Sequence, residues 1–257
     1  MMNNDKEEQL LGRRFADLAN AAYHRGICMF SDYLNLYEQN LFLRFKNELP
    51  RIKYFAYGGF EDAERKILCF CGNDQIDQRE EIEFPITCIK VSPINQRFSD
   101  DLNHRDFLGA VLNLGIDRSK IGDILIEHKT GYIFAHTSIS RFITDQLVKI
   151  KHTVVSAGVL DQQEFHYEPK YTEVTGTVSS VRLDSILSVA FHSSRSSLTG
   201  LIEGGKVFVN SKEVLSNSYA LKEQDVVSVR GLGKFIYTGT SYQTKKGRYS
   251  VKLLLYT

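Results

Sequence analysis

Two arginines stand where helix physics disfavours a cation. In VRLDSILSVAFHSSRSSLTGLIEGGKVFVNSKEV the apolar residues Leu183, Ile186, Leu187 and Ala190 recur at i, i+3, i+4 and i+7, which predicts a helix from Arg182 to Phe191 with Ser180 as N-cap. After a break at His192 and Ser193, Ser194 caps a second helix that carries Leu198, Leu201 and Ile202 on one face and stops at Gly204 and Gly205. Arg182 and Arg195 then fall in first turns, where the helix dipole opposes a positive charge by roughly 0.3–1 kcal/mol. An anion held by the open N–H groups of the helix start and a guanidinium would offset that cost. The chemistry this spacing allows is phosphate recognition. The alternatives are a local pair with Asp184 for Arg182 and plain solvation for Arg195.

Charge is distributed unevenly around these residues. From Val181 to Thr257 there are 11 Lys and Arg against 5 Asp and Glu, about +6, whereas the whole chain carries only +1. A basic end on an otherwise acidic chain points to a polyanionic partner.

The elements that position these charges follow from patterning. Lys206 to Asn210 alternates as a strand with Val207 and Val209 on one side, and Val226 to Arg230 reads as another. Gly231 and Gly233 flank a turn, after which Lys234 to Tyr237 and Arg248 to Tyr256 form a closing hairpin. The intervening GTSYQTKKGR reads as a loop holding Lys245, Lys246 and Arg248 beside Tyr242 and Tyr249, suited to phosphate contact and base stacking or simply to solvation.

RLDSIL, SRS, LIEGGKVFVNSKEV and LKEQDVVSV, in that order over about 50 residues, resemble the S4-type RNA-binding domain. That resemblance implies a basic face presented to structured RNA, with Arg182, Ser194, Arg195, Ser196, Lys206, Asn210 and Lys212 as contacts. Arg230, Lys234, Lys245, Lys246 and Arg248 join them as basic residues of the tail. Asn210, Ser211 and Lys212 stand where the family more usually has an Asn-Gly turn.

The first 50 residues read as helical, with one stripe at Phe15, Leu18, Ala19 and Ala22, another at Leu34, Tyr37, Leu41 and Phe45, and Pro50 as terminator. Strands follow from Lys53, with a turn at Gly58 and Gly59 and a strand from Ile67 to Cys71. Within 82–178 the predicted order is strand (Ile86–Val91), helix (Asp106–Leu114, stopped by Gly115), hairpin (Asp123–Glu127 and Tyr132–Ala135, turning at Thr130 and Gly131), helix (Ser138–Leu147) and strand (Val154–Val159). That is the order of ferredoxin-like plaits, which include a single-strand RNA-recognition module, with Tyr132 and Phe134 as aromatics a central strand would display. The fold class is therefore α+β: an N-terminal helical and strand region (1–80), an RRM-like α/β plait (81–178) and an S4-type domain (179–257).

Several chemistries are excluded. His104-Arg105-Asp106 opens like a kinase catalytic loop, but position 111 is Val where that motif needs Asn, and no Gly-rich loop or Asp-Phe-Gly accompanies it. Arg182-Leu183-Asp184 echoes the catalytic triplet of pseudouridine synthases without its continuation. No Gly-rich loop after a strand marks a methyltransferase cofactor site. Cys28, Cys69, Cys71 and Cys88 contain no C-x-x-C pair, so neither a zinc knuckle nor a disulfide framework is indicated, and they are expected to pack. No run of 18 apolar residues exists and MMNNDKEEQ is polar, so a cytoplasmic protein without membrane contact is expected.

HRDFLGAVLNLGIDRSKIGDILI, together with GGFEDAERKIL and the S4-type end, resembles the YlmH family, bacterial proteins encoded in cell-division gene clusters. The resemblance implies an RNA-binding factor without enzymatic activity or cofactor. Its partners would be rRNA or tRNA and a ribosome or ribosomal subunit, the large one favoured, in translation quality control or in connection with division. A monomer is expected. Arg105, Arg118 and Lys120 are candidates for a second RNA patch, with solvated charges around helix-end and strand-entry glycines (Gly109, Gly115, Gly122) as the alternative. Two other readings stay open: an RNA-modifying enzyme with its site in 50–178, where Asp123, Glu127 and His128 are scattered, and a division-associated protein-interaction factor.

Overall fold

The computed structural model describes residues 2–74, 76–161, 164–245 and 247–256. The chain separates into two compact units, Met1–His166 and Tyr167–Thr257.

The first unit begins with α1 (Met2–Arg25), β1 (Cys28–Leu34), α2 (Leu36–Phe45), β2 (Lys53–Tyr57) and β3 (Lys66–Cys71), the strands forming an antiparallel sheet in the order β1-β3-β2. Strand β1 interrupts the helical region that the sequence predicts over 1–50. Leu34 ends this strand instead of opening a helix, and Asn35 and Glu38 form a reciprocal capping box that starts α2 at Leu36, two residues later. Helices α1 and α2 cover one sheet face through Phe15, Ala19, Ala22, Phe42 and Phe70.

Next come β4 (Ile86–Pro93), α3 (His104–Leu112), β5 (Ile121–Glu127), β6 (Thr130–His136), α4 (Thr137–Gln146), β7 (Lys149–Ile150) and β8 (Thr153–Leu160). Their sheet order, β5-β6-β4-β8-β7, is antiparallel between neighbours and gives the ferredoxin-like plait the sequence predicts. The β5–β6 turn is formed by His128 and Lys129, both at positive φ, and not by Thr130 and Gly131. Two left-handed residues in a two-residue loop match the twist of the flanking strands. Gly131 has a packing role instead, because a Cβ there would lie 2.3 Å from the buried Phe107 ring.

The plait sheet is buried on both faces. Alternation along β4 sends Ile89 and Val91 toward α3 and α4, where they meet Phe107, Val111, Ile133 and Ile143, all fully buried. Each such side chain contributes about 1.5–3 kcal/mol by leaving water. The opposite residues, Ile86 and Cys88 with Phe134 of β6, pack against Tyr33, Ile67 and Cys69 of the N-terminal sheet. The first unit is thus layered helix, sheet, sheet, helix. All four cysteines are free thiols, and Cys28 Sγ lies 3.3 Å from Cys71 Sγ, opposite it in the β1–β3 register.

The second unit contains β9 (Tyr171–Val178), α5 (Leu183–Phe191), α6 (Arg195–Glu203), β10 (Val207–Val209), β11 (Lys212–Glu213), β12 (Asp225–Val229), β13 (Gly233–Gln243) and β14 (Tyr249–Tyr256). The sheet runs β11-β10-β12-β13-β14-β9. By its pairing with β14, strand β9 belongs to this sheet, so the separation falls at 166/167 and not at 178/179. Leu183, Ile186, Leu187, Ala190, Leu198 and Ile202 lay the two helices on Val207, Val227, Phe235 and Leu253. Strand β13 continues to Gln243, so Gly239, Thr240 and Gln243, read as loop from the sequence, pair with β14 across an irregularity between Thr240 and Gln243, and the loop is 244–248.

Candidate nucleic-acid interface

Helix α5 starts at Leu183 with Arg182 in the N-cap position, not Ser180; the Ser180 carbonyl accepts the Arg182 N–H at 3.0 Å. The Arg182 guanidinium donates to both oxygens of the buried Asp184 carboxylate, at 3.1 and 3.2 Å. Its charge is therefore engaged within its own helix start. Chain reversal between the helices is made by His192 in the left-handed region, φ 49°.

Ser194 caps α6 as predicted, accepting the Ser197 N–H at 3.4 Å, and its hydroxyl meets those of Ser196 and Ser197 at 3.1 Å each. Arg195, the first residue of α6, is exposed and in no ion pair among the described residues. At the other end of the same helix, about 12 Å away by helix rise, the Lys206 carbonyl accepts the Arg230 N–H at 2.9 Å. Both side chains are exposed and unpaired among the described residues, as is that of Lys212 on β11. Arg195, Lys206, Arg230 and Lys212 are thus solvent-facing cations on the helix pair and the adjoining sheet end.

Other candidates serve the fold. Asn210 and Ser211 both have positive φ and make the two-residue turn between β10 and β11, so the missing glycine of the usual Asn-Gly turn is accommodated by Ser211 in the left-handed region. The Asn210 amide donates to Asp225 Oδ1 at 2.8 Å and its oxygen accepts the Val226 N–H at 2.9 Å, tying β10 to β12. Arg248 donates to the Thr177 carbonyl at 2.6 Å and to its hydroxyl at 3.2 Å, clipping the hairpin to β9. Lys234 Nζ lies 4.5 Å from the centre of the Tyr256 ring. Lys245 is exposed in the 244–248 turn, and Lys246 lies outside the described residues.

The second patch divides in the first unit. Arg118 turns inward and donates to the carbonyls of Ile121 and Gly122; burial, with Arg65 nearby, brings its pKa down to about 10. Lys120 pairs with Asp32, which also binds Arg14 at 2.6 Å. Burial of Asp32 works against ionisation, yet Lys120 and Arg14 hold its carboxyl below the ordinary value. Lys120 thus ties the entry of β5 to β1, Arg118 folds back on the start of β5 itself, and Gly122 accommodates the Tyr33 ring, 2.6 Å from where a Cβ would lie. Arg105 alone of the three remains exposed without an ion pair among the described residues.

The aromatic platform predicted on the plait is closed. Phe134 is 1% exposed, and it and Tyr132 stack edge-on against Phe165 at 5.1 and 5.5 Å. Asp123 is engaged within the fold. Its oxygens accept the Glu64 and Arg65 N–H groups at 2.6 and 3.3 Å, and burial pushes its pKa up to about 6. Among the described residues no cluster of His, Cys, Asp and Glu is placed to hold a metal ion, and no helix is long and apolar enough to cross a membrane.

Two helices laid on an antiparallel sheet, with an asparagine turn beneath and exposed cations at both ends of the second helix, define an S4-type RNA-binding domain. The family model "S4 domain" matches residues 181–227, and the model "Putative RNA-binding domain in YlmH" matches 79–164, the plait. The chain is 30% identical to Ribosome-associated protein quality control protein P2 of Bacillus subtilis over 198 residues, 76% of this chain and 74% of that protein. It belongs to the YlmH family of S4-domain proteins. A solved structure, Cell division protein ylmH from Streptococcus pneumoniae, aligns with TM-score 0.49 at 21% identity, covering 63% of this chain and 93% of that one.

Proposed function

We propose that this protein is a non-enzymatic RNA-binding factor of the ribosome, holding rRNA or tRNA on the large subunit through the cationic face of its S4-type domain. The observation that carries the reading is the set Arg195, Lys206, Arg230 and Lys212, exposed and unpaired while neighbouring basic residues are engaged within the fold. Arg195 sits at the dipole-positive start of α6, where it costs stability unless an anion shares the site. The ribosome as target is supported by the named relative in Bacillus subtilis, and translation quality control is the process that relative's name points to. Arg182 and Asn210 act in this reading as supports for the surface, with 1–80 as helper region, the rest of the first unit as plait and Tyr167–Thr257 as the RNA-binding unit.

Sedimentation with separated ribosomal subunits across a salt series tests the reading. Salt-sensitive co-migration with large subunits, lost in Arg195→Glu, Lys206→Glu, is the expected result. Absence of co-migration with either subunit refutes the ribosomal target, and co-migration unchanged by the double substitution refutes the surface.

A further inference from the structure

The plait carries a domain model described as RNA-binding, yet the sheet face on which a plait would stack bases is packed against the N-terminal sheet. Any RNA contact by the plait must use another surface. On the opposite side, a groove of about 470 Å³ opens between α3 and the junction of α4 with β7. That volume lies within the roughly 300–1,000 Å³ typical of sites for small ligands. Arg105, Lys149 and Lys151 line it, all exposed, and Asn113 and Gln146 add two exposed side-chain amides. Lys151 is fixed by Asp106 at 2.8 Å, whereas Arg105 and Lys149 have no ion-pair partner among the described residues.

Gly109 supplies an independent observation. It lies inside α3, where glycine costs about 1 kcal/mol relative to alanine, and a Cβ there would meet no heavy atom within 4 Å. Neither packing nor backbone conformation requires glycine at this position, in contrast to Gly122 against Tyr33 and Gly131 against Phe107. Gly109 lines the groove, and the space where its side chain would stand is open.

We infer that this groove is a second RNA site, which seats a nucleotide of a single-stranded segment, with Arg105 and Lys149 on the phosphates and the Asn113 and Gln146 amides facing the base. Unpaired cations supply the backbone attraction, and amides, which both donate and accept, match the free edges of an unstacked base. An acidic peptide would use the cations and bond the amides through its backbone, but the RNA-binding model that matches the plait favours the nucleotide. The inference rests on the RNA-binding reading of the chain, so its test keeps the two surfaces apart.

The full chain is titrated with a fluorescein-labelled ten-nucleotide single-stranded RNA, and separately with a labelled polyglutamate peptide, over a salt series. The variants are Gly109→Phe, which fills the groove without changing charge, Arg105→Glu, Lys149→Glu, and Arg195→Glu, Lys206→Glu, with thermal melting to establish folding of each. Both groove variants are expected to weaken RNA binding at least fivefold. The charge reversal should also lower the salt slope by about 1.4, at about 0.7 per phosphate on a single strand. Should Gly109→Phe fail to fold, the double charge reversal and its salt slope decide alone. Parent affinity in the groove variants with loss only in Arg195→Glu, Lys206→Glu overturns the groove and leaves the S4-type face standing. Loss of single-strand binding confined to the groove variants supports the groove, while a structured hairpin titrated in parallel, bound by the groove variants and lost only in Arg195→Glu, Lys206→Glu, keeps the S4-type face distinguishable. Polyglutamate binding as tightly as RNA, with equal dependence on Arg105 and Lys149, overturns the RNA site in favour of an acidic protein partner.

Discussion

Reversing Arg195 and Lys206 together gives the most quantitative test of the S4-type face. Of the candidate cations there, Arg195, Lys206, Lys212 and Arg230 are exposed and unpaired among the described residues, and Lys245 is exposed on its turn. Arg182 and Arg248 are engaged within the fold. Four to five phosphate contacts at about 0.7–0.9 each predict a slope of about −3 to −4.5 in log affinity against log salt. Raising salt from 50 to 200 mM should then weaken binding by roughly 60- to 500-fold. With two contacts removed, the slope falls to about −1.5 to −2.5 and the same change in salt costs only about 10- to 30-fold. The assay is fluorescence anisotropy of a structured rRNA hairpin titrated with wild-type and Arg195→Glu, Lys206→Glu protein in a potassium chloride series. An unchanged slope refutes the placement of the surface. A wild-type slope near −9 would mean that every cation of the segment contacts phosphate, refuting the separation of free from engaged side chains.

Further outcomes follow from the packing and titration of the first unit. Gly131→Ala should lower stability by about 1–3 kcal/mol, because its Cβ must displace the buried Phe107 ring, whereas Gly109→Ala should raise it by up to about 1 kcal/mol; urea denaturation of both checks the contrast. Asp123 titrates in the folded protein at about 6, above its unfolded value, so its contribution is fully present below about pH 4 and lost as pH rises through 6. Asp123→Asn should remove a fall of about 2–3 kcal/mol between pH 4 and 7; a wild-type pH dependence identical to that of the variant would show that this carboxyl is not the source. In native protein, iodoacetamide should modify Cys28 before Cys69 or Cys88, whose thiols burial pushes up, to about 12 for Cys88, and all four should react after unfolding. Mass spectrometry of early time points reads the order.

The plait and the S4-type helices were legible because their apolar residues keep an unbroken period. What escaped had no such signal, or had one that competed with a stronger pattern. Strand β1, CMFSDYL, lies between two helical stripes and lends Leu34 to the second; the Asn35 and Glu38 spacing was the available sign that the helix starts later. Strand β9 has no reading in the sequence, and because its partner β14 lies far along the chain, its residues fall by position into the plait segment ending at 178. Among the site residues, the local Arg182–Asp184 pair was among the alternatives visible from spacing. The inward turn of Arg118 was not, since it depends on carbonyls exposed at the start of β5. Lys149 and Lys151 were missed because two lysines flanking the buried Ile150 look like any strand edge until α3 is placed beside them.

The position of β14 between β13 and β9 has a consequence for how the C-terminal unit assembles. Val178 pairs with Tyr249 and Tyr171 with Tyr256, partners separated by 71 and 85 residues, so closure of this edge joins the most distant parts of the unit. Pairing over such a span carries a large loop-closure entropy and is slow compared with docking of α5 on α6. Folding of the helix pair should therefore precede recruitment of β9. In the interval β13 or β14 presents an open edge, the kind of surface on which two unfinished chains pair with each other. Refolding yield should consequently fall with protein concentration more steeply than the compact native unit alone would lead one to expect.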